Sequence, residues 1–128
     1  MAKKRTKPAD GAPPSRAPNH PTVRVQVGRV KADIDELLAP LVKLLWQRGL
    51  VTYQSCQERY PGLAEIEFAG TDDVEEFLEE AQRLYRVEVE TCDEGAGGEL
   101  AVRVRLLVLF PTADIPRLVR AFGGARPR

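Results

Sequence analysis

Histidine is nearly missing from this chain of 128 residues, which has a single one, His20. Cysteine is scarce too: Cys56 and Cys92 are too few for a disulfide framework and too widely spaced for a zinc or redox pair, so we interpret both as reduced thiols. No apolar run approaches the ~20 residues of a membrane helix. Proline and glycine follow the basic start of the chain, where a signal peptide would be apolar. The sequence therefore predicts a cytoplasmic protein with no membrane partner.

The first 21 residues have no apolar periodicity and contain five prolines among alanine, glycine, serine and lysine. Such a segment buries too little apolar surface to offset the entropy that ordering costs. We expect residues 1–21 to be a disordered basic tail, residues 22–124 to form one α+β domain and residues 125–128 to fray. Because His20 falls in this tail, the folded domain is predicted to contain no imidazole.

Charge is segregated along the chain although the formal net charge is zero. Residues 1–21 carry a net charge of +4, residues 33–99 carry −12 and residues 100–128 carry +5. An acidic centre disfavours a nucleic-acid-binding face on the domain. Nucleic acid is therefore not expected as a main partner.

The first part of the domain allows two interpretations. Alternating valines predict a strand at residues 22–27. From Ile34 to Leu45 the apolar residues follow helical spacing, and Gly49 suits a helix end. Pro40 contradicts an uninterrupted helix, because an interior proline loses a backbone hydrogen bond. Either the helix kinks or breaks within its first two turns, which we favour, or a short turn precedes a helix that begins at Pro40.

The remainder of the domain alternates hairpins and helices, and no internal repeat is evident. In the second of these hairpins, the charge pattern predicts Glu88 opposite Arg105 and Glu90 opposite Arg103. The predicted elements are strands at 50–56 and 64–68, a helix at 71–85, strands at 87–91 and 102–110, and a helix at 114–122.

The resulting order of elements, βαββαββα, contains a βαββαβ unit. Helical stripes and half-buried strands of this kind pack economically as helices on one face of an antiparallel sheet. We therefore predict an α+β two-layer sandwich, with a ferredoxin-like βαββαβ arrangement plus an extra strand and a C-terminal helix.

The candidate site is a polar segment at a predicted strand end, and its thiol is Cys56. A nucleophilic cysteine needs a base or a positive field, and the usual base is histidine. With His20 assigned to the tail, we predict no catalytic pair, no metal site and no cofactor, and we interpret Cys56 as a small buried residue. Trp46 either packs at the edge of the core or serves as a partly exposed anchor for a partner. The candidate binding residues are Trp46, Thr52, Ser55, Cys56, Gln57 and Arg59.

The spacing Trp-x-x-Gly-x-x-Thr-x-x-Ser-Cys-Gln, residues 46–57, is distinctive. Together with its flanks it resembles a group of small proteins from bacteria and their phages. That group has no established activity, so the resemblance implies a shared locus and no particular function. The matching flanking residues are Pro40, Leu41, Leu45, Pro61, Gly62, Ile66 and Phe68.

Three functions follow as hypotheses. The leading one is a small non-enzymatic binding or interaction module with a protein or small-molecule partner, because no complete catalytic set is visible. The second is a thiol-dependent enzyme or redox sensor centred on Cys56. The third is weak RNA binding through the basic termini.

Overall fold

The computed structural model describes residues 20–93 and 102–124. These residues contain six strands and three α-helices. The predicted tail up to Asn19, part of the predicted glycine loop and the predicted frayed end lie outside them. The α+β class is confirmed. The elements are β1 (Thr22–Val27), β2 (Val30–Asp35), α1 (Ala39–Gln47), β3 (Thr52–Tyr60), β4 (Leu63–Phe68), α2 (Thr71–Ala81), β5 (Arg86–Asp93), β6 (Val102–Pro111), a 3-10 turn (Thr112–Asp114) and α3 (Ile115–Gly123).

The chain repeats one unit three times, an antiparallel hairpin followed by a helix. Two of the hairpins join in a four-stranded antiparallel sheet of order β3-β4-β6-β5, and β1 and β2 form a separate two-stranded sheet. In a ferredoxin-like arrangement the first strand would lie inside the main sheet. Here β6 lies beside β4 instead. The strand order therefore differs from the predicted one.

The segment before Pro40 is a strand and a turn, so the predicted kinked helix is wrong. Val30–Asp35 pairs with β1 through a two-residue turn, in which Gly28 takes a φ of 61° that glycine tolerates without strain. Helix α1 begins at Ala39, and Pro40 lies in its first turn. A proline there costs little, because the first backbone N–H groups of a helix have no intrahelical partner.

The core lies between the three helices and one face of the four-stranded sheet. The ring of Phe77 on α2 is its centre, with ring centroids 5.1 Å from Phe68 on β4, 6.0 Å from Phe110 on β6 and 5.4 Å from Phe122 on α3. Aromatic pairs at these separations add to the free energy gained by burying apolar area. One cluster thus ties both hairpins of the sheet to two helices.

The opposite face of the sheet carries a buried carboxylate, Glu67 on β4, whose side chain is 1% exposed. Its two oxygens accept hydrogen bonds from Arg103 at 2.7 Å and Arg105 at 3.3 Å. Burial alone would lower the pKa of Arg105, and the nearby carboxylates of Glu67, Glu90 and Glu65 together more than reverse that effect, so the pKa is raised. Glu67 on β4 therefore binds both of these arginines of β6.

The register of the second hairpin differs from the prediction by two residues. Glu90 lies opposite Arg105, with 3.0 Å between Oε1 and Nη1, whereas Glu88 lies opposite Leu107. The prediction was wrong because it matched the arginines of β6 to β5 alone. In the sheet, β6 has a second neighbour, and Glu67 on that strand binds the same arginines.

Candidate functional site

His20, Asp35 and Cys56 lie together beside strand β3, and we call them the thiol cluster. One potential metal-ligating atom of each side chain lies within 4.8 Å of those of the other two. His20 Nδ1 and Asp35 Oδ2 are 3.3 Å apart. The expectation that the folded part of the chain contains no imidazole is therefore wrong, and the argument against a histidine-containing metal site loses its premise.

The β1–β2 hairpin brings His20 to Asp35. Thr22 lies opposite Asp35 in the ladder, so the residues just before β1 continue past the end of β2. The Glu36 N–H donates to the Pro21 carbonyl at 2.8 Å, which extends the pairing beyond the two strands. This pairing explains the position of His20. It precedes Pro21, so it lies at the end of β2 where Asp35 is.

Gln57 joins the thiol cluster to three parts of the fold. Its backbone N–H donates to Asp35 Oδ2 at 2.9 Å, and its side-chain Oε1 accepts the Leu37 N–H at 2.9 Å. Its carbonyl accepts the Thr112 hydroxyl at 2.6 Å. Strand β3 is thereby fixed against the end of β2 and the residue that follows β6, so Cys56, the neighbour of Gln57, has a defined position.

Burial differs within the thiol cluster. Cys56 is 1% exposed, whereas the side chains of His20 and Asp35 are 15% and 13% exposed. Asp35 Oδ2 faces both the Gln57 N–H and the His20 ring. A carboxylate at Nδ1 favours the tautomer with the proton on that nitrogen, which leaves Nε2 as a proton acceptor. The arrangement provides a shielded thiol, a base and a group that orients the base.

Glu65 lies opposite Cys56 on β4 and adds a second carboxyl near the thiol. Burial raises the pKa of Glu65, although Arg59, with Nε 3.6 Å from Oε1, and Arg105 act to lower it. Arg59, predicted as a site residue, therefore engages this carboxyl and stacks its guanidinium 5.1 Å from the centre of the Tyr60 ring.

The predicted site residues separate into two groups along β3. Thr52 lies four positions before Cys56, about 13 Å away at the rise of a strand. It accepts the indole N–H of Trp46 at 2.9 Å and so links β3 to α1. Ser55, half-buried, lies opposite Ile66. Among the predicted residues, Cys56 belongs to the thiol cluster and Gln57 donates a hydrogen bond to its Asp35, whereas His20 and Asp35 were not predicted.

The sequence does contain a signal for the missed pair. Val30, Ala32 and Ile34 alternate with polar residues, as the valines of β1 do, and Gly28 separates the two runs. That pattern is typical of a hairpin, and a hairpin centred on residues 28 and 29 places residues 20 and 35 at the same end.

Cys92 lies on the other edge of the sheet from Cys56. In the order β3-β4-β6-β5 their strands are three spacings apart, about 14 Å. A disulfide needs Cα atoms closer than about 7 Å. The prediction that the two cysteines do not pair agrees with this arrangement, and Cys56 is a free thiol.

The helices of the described residues are short, with at most eleven residues, and none is long and apolar enough to span a membrane. No protein-family model, no curated protein and no solved structure matches the chain.

Proposed function

We propose that the protein is a thiol-based redox sensor in which Cys56 is the reactive group, His20 accepts its proton and Asp35 orients the imidazole. The observation that carries the proposal is the approach of all three side chains to within 4.8 Å. A thiol becomes a nucleophile only as thiolate, and an oriented imidazole is its usual proton acceptor in proteins.

The proposed reaction consumes a hydroperoxide. The Cys56 thiolate attacks one peroxide oxygen, and the S–O bond forms as the O–O bond breaks. The leaving hydroxide takes the proton that His20 accepted from the thiol and departs as water. Sulfur is oxidised to a sulfenic acid, and the peroxide is reduced.

Burial favours a small oxidant over a large substrate. A sulfur atom in a residue that is 1% exposed leaves no room for a peptide or a sugar without rearrangement, whereas hydrogen peroxide is little larger than water. Cys92 on the far edge strand is not positioned to resolve the sulfenic acid. The sulfenic acid is therefore the product to detect.

The proposal is tested in protein carrying Cys92→Ser, so that Cys56 is the only thiol. We expect His20→Gln to slow sulfenic acid formation by hydrogen peroxide at neutral pH by about tenfold or more, since general bases contribute about 10²–10⁴-fold. The product is trapped with dimedone and quantified by mass spectrometry.

Asp35→Asn should slow the same reaction by removing the carboxylate that orients the ring. Asp33→Asn is the matched control, because this carboxylate lies two residues away and pairs with Arg24 in solvent. Unchanged rates in both His20→Gln and Asp35→Asn, in protein with native denaturation midpoints, would refute the redox proposal.

A second candidate function, the interaction module, is favoured by strand β5. In the described part of the chain β5 is an edge strand, and it exposes Val87 (39%) and Val89 (63%). Unpaired edges with apolar side chains invite pairing with another strand. Of the two interpretations of Trp46, packing at the edge of the core is the better supported, because Trp46 packs half-buried against the core and its indole N–H binds Thr52.

The partner best suited to strand β5 is the β5 strand of a second copy of this chain. An antiparallel pairing centred on Glu88 places Arg86 opposite the Glu90 of the second copy and Val87 opposite its Val89, twice each. The two copies of Glu88 face each other, but each already binds Arg86 of its own strand at 2.7 Å. The order of charged and apolar residues along β5 is thus self-complementary, apart from the facing pair of Glu88 residues.

Light scattering across a concentration series tests this pairing. We expect Val89→Lys to abolish the dimer and Val23→Lys, at an exposed valine of β1, to leave it intact. Arg86→Glu should weaken it, and Arg86→Glu combined with Glu90→Arg should restore it. A monomer at all concentrations, or a dimer insensitive to Val89→Lys, would refute it. RNA binding through the basic termini stays a prediction, because residues 1–19 and 125–128 lie outside the described ones.

A further inference from the structure

We propose that the thiol cluster is also a binding site for a divalent transition metal of the zinc class, with Cys56, His20 and Asp35 as its three protein ligands. The inference deepens the proposed redox function, because it uses the same ionised thiol. It depends on the donor set and its spacing, and no part of it requires the thiol to react with peroxide.

The donor chemistry selects the metal class. A thiolate and an imidazole bind zinc, cobalt and copper, whereas magnesium and calcium prefer oxygen donors. Three protein ligands with a fourth position open to water are typical of zinc sites that do chemistry or exchange metal. The thiol cluster supplies one sulfur, one nitrogen and one oxygen donor.

The spacing fits a tetrahedral ion with small adjustments. Zinc-to-ligand bonds of about 2.0–2.3 Å place tetrahedral donors about 3.3–3.6 Å apart. His20 Nδ1 and Asp35 Oδ2 are already 3.3 Å apart, and an ion bound between them would replace the proton on Nδ1. No donor pair in the cluster exceeds 4.8 Å, so closing the site takes about 1.5 Å at most, a shift within the reach of side-chain rotation.

The surroundings hold the ligands in place. The Gln57 N–H donates to Asp35 Oδ2, an outer contact of the kind that orients ligating carboxylates. His20 and Asp35 retain 15% and 13% exposure, which gives an ion a way in, while Cys56 forms the buried end of the site.

Metal binding and thiol oxidation exclude each other at this site. Both begin with loss of the thiol proton, and a metal ion that holds the thiolate occupies the electron pair that attacks peroxide. Bound zinc should therefore protect Cys56 from oxidation, and oxidation should release the ion. The state of Cys56 would then depend on the concentration of zinc as well as on that of the oxidant.

Cobalt(II) titration of the reduced, metal-free full chain tests the inference. A thiolate-to-cobalt charge-transfer band should grow to one equivalent and disappear on addition of zinc. Cys56→Ser should abolish the band. His20→Gln and Asp35→Asn should each weaken cobalt binding by at least about a hundredfold, more than is typical for loss of an outer contact. Cys92→Ser is the matched control and should leave the band unchanged.

Absence of the band, a band that survives in both His20→Gln and Asp35→Asn, or a band lost in Cys92→Ser would overturn the metal site. The peroxide assay on the same metal-free samples separates this failure from failure of the redox function. If cobalt does not bind but His20→Gln slows oxidation, the metal site alone is refuted. If cobalt binds at Cys56 but His20→Gln and Asp35→Asn both leave oxidation unchanged, the redox sensor alone is refuted.

Discussion

Two polar clusters flank strand β4, and they differ in how their protons are held. In the first, Glu67 is shared by Arg103 and Arg105, and permanently charged guanidinium groups occupy both carboxylate oxygens. In the second, a carboxylate faces an imidazole, and a thiol lies beside them. Thiol and imidazole are the side chains that ordinarily exchange protons near neutral pH. We therefore interpret the first cluster as stabilising and propose chemistry only for the second, although both are sheltered from water.

Removing the charge of Glu67 should give the largest loss of stability. Glu67→Gln takes from Arg103 and Arg105 the buried carboxylate that they share, although Arg105 keeps its contact with Glu90. Because both arginines are partly exposed, we expect the free energy of unfolding to fall by about 2–3 kcal/mol. Breaking a fully buried pair costs more, ~3–5 kcal/mol. Urea unfolding measures the free energy. Glu90→Gln is the control. Loss of this exposed carboxylate should lower the free energy of unfolding by less than about 1 kcal/mol. Equal effects of the two substitutions would remove the distinction between a buried and a surface pair.

Removing the Asp35 carboxylate should cost less stability and change reactivity as well. Asp35→Ala takes an acceptor from the Gln57 N–H and from the His20 ring, and an unsatisfied buried donor costs about 1–3 kcal/mol. The same variant should alter the rate at which iodoacetamide labels Cys56. Asp33→Ala, at a solvent-exposed position on the same strand, should change neither quantity. A stability loss with unaltered labelling would make the second cluster as purely structural as the first.

Substitution of Glu65, which lies between the two clusters, should have the smallest effect on stability. The effect should be visible only in how the free energy of unfolding depends on pH. Burial raises the pKa of Glu65 above its ordinary value of 4.5. Its contribution to stability is therefore complete below the pKa of the unfolded chain and is lost as pH rises through the folded pKa. Glu65→Gln should flatten the part of the profile that begins near the ordinary glutamate pKa of 4.5 and extends upward from it. Glu75→Gln, on the exposed side of α2, is the control. A slope equal to that of the unsubstituted protein would show that Glu65 titrates alike in both states.

Local pattern predicted the parts of the fold that depend on neighbours in the chain. The alternation of Ala64, Ile66 and Phe68 predicted β4, and the stripe through Val74 and Phe77 predicted α2. The strand at residues 30–35 was missed, because Ile34 and the leucines after it also fit helical spacing. A strand of three apolar alternations cannot be told from a helix start by period alone.

The candidate site was harder to predict than the fold around it. Cys56 and Gln57 were singled out as polar residues at a strand end, and both lie beside the thiol cluster. His20 was assigned to the tail because prolines surround it, and its contact with Asp35 depends on a hairpin pairing fifteen residues apart. Composition cannot reveal such a contact, since the deciding interactions, the ladder and the Glu36 N–H to Pro21 carbonyl bond, come from non-local strand pairing.

His20 lies just before β1, so removing the N-terminal residues of the protein has a practical consequence. A shortened version starting at Thr22 would retain all six strands and three helices, and by spectroscopy it would pass as intact. It would also have been stripped of its single histidine. An inert result from such a fragment would say nothing about the full-length molecule.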